Sequence, residues 1–145
     1  MIPEPRTIAA PKAMTFDRLL EKIRYEGAYP TRERAEEALR AVLGGLGRQV
    51  TGEERVEFAA ALPREAALVF TAEAPGIHPA PAVRFVDDLA ARTGGTAATA
   101  RWDAGTVLTA VSALMDPALV TRIIEGLPTG YALLFGRAQL LTTAA

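Results

Sequence analysis

The chain has 145 residues, half of them hydrophobic, with a formal net charge of −1 and no cysteine. That length fits one domain able to bury a real core. The balanced charge gives no general attraction to nucleic acid or to an anionic membrane, and the missing cysteines remove disulfides, thiol nucleophiles and Cys-ligated metals. Lys12 and Lys22 are the only lysines. The arginine excess, beside so much alanine, reads as coding bias rather than as a phosphate-binding signature.

Residues 1–14 carry Pro3, Pro5 and Pro11 and no apolar h-region, so they are expected to be a flexible leader and not a signal peptide. Thr15 is placed to cap a first helix through Tyr25, with Phe16, Leu19, Leu20 and Ile23 on its apolar face. Thr31 caps a second, carrying Ala35, Ala38, Leu39, Val42, Leu43 and Leu46, and Gly44, Gly45 and Gly47 are expected to stop it. Thr51-Gly52-Glu53-Glu54 has the pattern of a capping box and should open a third helix, which runs to Leu62-Pro63. Proline there ends one helix and suits the first position of the next, which reaches Phe70. Residues 71–81, with Pro75, Gly76, Pro79 and Pro81, form an internal linker. Phe85, Val86 and Leu89 mark a fifth helix, ending before Gly94-Gly95, and Ala104 to Met115 a sixth. Asp116-Pro117 caps a seventh that ends at Leu127. The eighth is predicted from Pro128 to Gly136, followed by a tail over 137–145.

Leu62-Pro63 through Phe70 recurs as Leu127-Pro128 through Phe135. A shift of 69 positions also pairs Phe16 with Phe85, Leu20 with Leu89, Arg32 with Arg101, Leu39 with Leu108 and Val42 with Val111. A shift of 65 pairs Thr51 with Asp116 and Leu62 with Leu127. The expectation is an all-α domain over 15–136, with about eight helices in two pseudo-repeated four-helix units, 15–70 and 82–136, sharing one core. Leu62, Pro63, Phe70, Leu127, Pro128 and Phe135 are its structural markers.

Glu37-Ala38-Leu39-Arg40-Ala41-Val42-Leu43, followed by Leu62-Pro63 and echoed by Leu127-Pro128, Tyr131 and Leu134-Phe135, resembles a bacterial family of unknown function, DUF2267. The resemblance spans Phe16 to Phe135. It implies an all-helical duplicated domain and carries no catalytic residue with it.

Candidate chemistry is sparse. His78, the only histidine, stands between prolines, and a triad would need it beside Ser112, the only serine, which is centred in a helical pattern. Glu36-Glu37 and Asp87-Asp88 are adjacent in sequence, so a helix points the members of each pair about 100° apart. No metal-ligand spacing occurs, and neither metal nor cofactor is expected. Gly44-Gly45-Leu46-Gly47 ends a helix, which is not the context of a phosphate loop. Arg32 and Arg101 match under the repeat and could hold an anion together, or each could pair locally, Arg32 with Glu36. Trp102 and Tyr131 have no aromatic counterpart in the first unit, where Glu33 and Ala66 stand, and they read as core filling first and added function second.

The leading reading is therefore a cytoplasmic, non-enzymatic protein-interaction or scaffold module, with a protein partner, no nucleic acid and no membrane. Oligomerisation is left open. The alternative is a small-ligand or anion-binding regulator using Arg32, Arg101, Trp102 and Tyr131 at the seam between units.

Overall fold

The computed structural model describes residues 14–137. The expected leader and tail otherwise lie outside the described residues. Among these there are eight helices and no strand: α1 (Phe16–Gly27), α2 (Arg32–Gly47), α3 (Gly52–Ala60), α4 (Arg64–Thr71), α5 (Ala82–Thr93), α6 (Ala97–Ser112), α7 (Pro117–Gly126) and α8 (Tyr131–Leu134). None is long and apolar enough to cross a membrane.

The two 16-residue helices, α2 and α6, are the centre. They pack on each other. α2 also packs on α1, α4 and α5, and α6 on α1, α5 and α8. Ala100, Ala104, Val107, Leu108 and Val111 recur at three- and four-residue spacing and are all inaccessible. α2 buries Ala35, Ala38, Leu39, Val42, Leu43 and Leu46 in the same way, and one continuous core takes residues from all eight helices.

Side-chain caps mark four of the eight helix starts. Thr15 and Thr31 accept from the amides of Arg18 and Arg34, both at 3.1 Å. Asp116 accepts from Ala118 at 2.9 Å, with Pro117 opening the helix. Three expectations need correction. Thr51 makes no side-chain cap, because Gly52 opens α3 at φ 72 and turns the first amides off the hydroxyl. The working capping box is Thr96 with Thr99, which starts α6 at Ala97, seven residues before Ala104. The α2 glycines do not stop the helix, since it runs through Gly47 to a right-handed cap at Arg48. They are buried there, and a Cβ on Gly47 would collide with the Phe70 carbonyl, so glycine lets α4 come in close.

The two Leu-Pro corners also differ from expectation. Pro63 is the residue before α4 rather than its first residue. Leu127 is extended (φ −103, ψ 159), as a residue before proline should be. But α8 does not begin at Pro128. Gly130 sits at φ 102, outside any right-handed helix, and delays α8 to a single turn from Tyr131. Leu62 is buried whereas Leu127 is only half-buried.

The segment between α4 and α5 is a strap rather than a loose linker. Its Gly76 amide donates to Arg48 O at 2.9 Å and its Ala80 amide to Gln49 Oε1 at 2.7 Å. The Tyr131 hydroxyl donates to Ala80 O at 2.6 Å.

Candidate functional site

The α1–α2 turn docks on the middle of α6. Ala28 adopts the left-handed conformation at φ 56, which turns Tyr29 toward α6. There the Tyr29 hydroxyl donates to Asp103 at 2.5 Å, and the Trp102 indole N–H donates to Gly27 O at 3.0 Å. A Cβ at Gly27 would strike the Tyr29 ring, so the turn is packed as well as bonded. Asp103 is the buried charged side chain among the described residues. A hydrogen bond to an ionised group contributes about 1.5–3 kcal/mol, and removing the donor would leave a buried carboxylate short of a partner. Burial, and then the bond to Asp103, hold the Tyr29 phenol far above its ordinary value, so near neutral pH it keeps its proton. The arrangement braces the α1–α2 turn against α6.

Next to it lies a cleft of ≈ 470 Å³ lined by Arg34, Glu37, Arg40, Arg92, Thr93 and Asp103. Arg34 pairs with Glu37 at 2.9 Å and Arg40 with Glu36 at 2.8 Å, so most of its positive charge is already matched. A larger groove of ≈ 940 Å³ runs along the first Leu-Pro corner, between Met14–Phe16, Ala60–Glu65 and Leu114.

The four residues singled out as a ligand site do not line one cavity. Arg32 pairs with Asp17 of α1, not with Glu36, and lines a cleft of ≈ 480 Å³ with Met14, Arg18 and Glu21. Arg101 lines a different pocket of ≈ 260 Å³, between the start of α5 and α8. The two arginines therefore line separate cavities and do not make one clamp. Trp102 is 55% exposed, so it does not fill the core, and its indole N–H is bonded to Gly27 O. Tyr131 is fully buried, edge-on to Phe85 at 5.6 Å between ring centroids. Its phenol is also pushed well up, by burial and then by Asp88.

His78 is exposed in the strap and Ser112 ends α6, with no hydrogen bond between them. Among the described residues, no group of three His, Cys, Asp or Glu side chains could hold a metal ion.

Sequence reasoning missed Arg55. Its guanidinium donates to Gly47 O at the last residue of α2 (2.5 Å), to Val50 O just past that end (3.1 Å) and to Glu73 O, beyond the end of α4 (2.6 Å). It also lies over the Phe70 ring, 5.1 Å from the centroid. One cation thus satisfies carbonyls at two helix C-termini, where positive charge is favoured.

Among the described residues the domain is all-helical, and Tyr29–Asp103, Trp102–Gly27 and Arg55 brace its helices against one another. The family described as Uncharacterized conserved protein (DUF2267) matches residues 16–134, and the chain belongs to that family. A search among curated proteins returned no match.

Proposed function

We propose that the chain is a cytoplasmic, non-enzymatic protein-interaction module built from two pseudo-repeated four-helix units, residues 15–70 and 82–136. Helix lengths support the repeat: 12, 16, 9 and 8 residues against 12, 16, 10 and 4. Helix contacts support it too. Exchanging the halves turns α1–α2 into α5–α6, α2–α4 into α6–α8 and α1–α6 into α2–α5, and all six contacts occur.

The interaction reading rests on one observation. Leu68 and Leu133 occupy the same register in the repeat, and both point outward, 56% and 64% exposed. Single exposed leucines need no explanation, but the same leucine left open on the same face of both fourth helices does. Replacing both with glutamate should leave thermal stability within about 0.5 kcal/mol and abolish capture of a specific protein from the native host. Unchanged capture would refute the reading. The small-ligand alternative has less in its favour, because Arg32 and Arg101 line separate cavities.

A further inference from the structure

The pocket beside Arg101 has a built-in comparison. Under the 69-residue shift, Arg101 corresponds to Arg32 and Val86 to Asp17. In the first half a helix-borne carboxylate meets the arginine, since Asp17 pairs with Arg32. In the second half valine stands where that carboxylate would be, and Arg101 has no ion pair among the described residues. Asp87 lines the same pocket without approaching Arg101 to ion-pair distance.

The rest of the pocket is apolar: Ala82, Val83, Val86, Leu133 and Leu134, with Val83 74% and Leu133 64% exposed. Packing and hydrogen bonds hold its walls. Tyr131 packs on Phe85 and bonds to Ala80 O, and the Ala82 amide donates to Thr129 O at 3.4 Å. Little ordering would therefore be needed on binding. At ≈ 260 Å³ the pocket falls below the ~300–1,000 Å³ of small-molecule sites, which favours side chains of a peptide over a cofactor.

We propose that this pocket docks an acidic–apolar segment of a partner protein, one apolar side chain entering between Val83, Val86 and Leu133 and a nearby carboxylate pairing with Arg101. The inference rests on the interaction reading and adds the partner's chemistry. A guanidinium beside an apolar floor suits such a segment, because Arg forms two parallel hydrogen bonds to a carboxylate.

The test is selection of a random twelve-residue peptide library on the full chain. An enriched peptide is then measured by fluorescence anisotropy and mapped by NMR. Enrichment of Asp or Glu close to Leu, Ile, Met or Phe is expected, with shifts at Val83, Val86 and Leu133. Arg101→Gln should weaken binding about tenfold to a hundredfold, and Arg101→Glu should invert the selected charge to Lys or Arg. Neutral or basic peptides, or affinity indifferent to Arg101, would overturn the proposal. So would self-association of the chain through this face, or the same shifts produced without peptide by residues 138–145 and lost when they are deleted. Peptides binding at Leu68 or the first corner would refute this site while leaving the interaction reading intact. No peptide binding anywhere would count against both.

Discussion

The two Leu-Pro corners start from the same letters and end in different structures. In the first, Leu62 is buried, Pro63 stands just before α4, and the helix runs for eight residues. In the second, Leu127 is half-buried, three residues separate it from α8, and that helix is one turn. Two substitutions account for the difference. Glu65 is replaced by Gly130, whose φ of 102 breaks the helical path. Ala66 is replaced by Tyr131, whose ring packs edge-on against Phe85. A motif thus sets where a chain bends, and the residues two to four positions on decide how the chain leaves the bend.

The largest effects should be equal at both corners. Phe70 and Phe135 are both buried at the ends of their short helices, so Phe70→Ala and Phe135→Ala should each cost about 3–5 kcal/mol in urea unfolding. A value near zero at either site would break the equivalence. The leucines should then separate. Leu62→Ala should cost about 2–4 kcal/mol and Leu127→Ala about 1 kcal/mol, since it keeps part of its surface in water. Equal costs would mean the half-burial of Leu127 has no energetic weight. The next position pair gives the sharpest contrast. Gly130→Ala should cost about 1–3 kcal/mol, from its positive φ and a Cβ only 2.8 Å from that of Ala82. At the equivalent exposed position, Glu65→Ala should stay within about 0.5 kcal/mol.

Much of the fold is legible from short-range chemistry. Thr15, Thr31 and Asp116 cap because hydroxyl or carboxylate spacing to the next amides is fixed by three or four residues of chain. The α2 stripe from Ala35 to Leu46 is readable because helical period and burial coincide. The Thr96–Thr99 box escapes, since threonine replaces the usual Glu or Gln at the third position. Tyr29–Asp103, Trp102–Gly27 and the Arg55 clamp escape for another reason. The first two join residues 74 and 75 positions apart, and no local period encodes which polar group of one helix meets the turn of another. Arg32 is misread on the same ground: helical spacing offers it Glu36, whereas packing of α1 on α2 delivers Asp17.

We propose that two pseudo-repeated units share one core and that neither is complete alone. α1 rests on α6 and α5 on α2, so each half would expose the face that the other covers. The direct measurement is amide NMR of residues 1–75 and 76–145 made separately and then mixed. Each half alone should give the narrow amide dispersion of an unfolded chain, and the equimolar mixture should recover the dispersed spectrum of the intact protein. Two separately dispersed spectra, unchanged on mixing, would contradict the shared core.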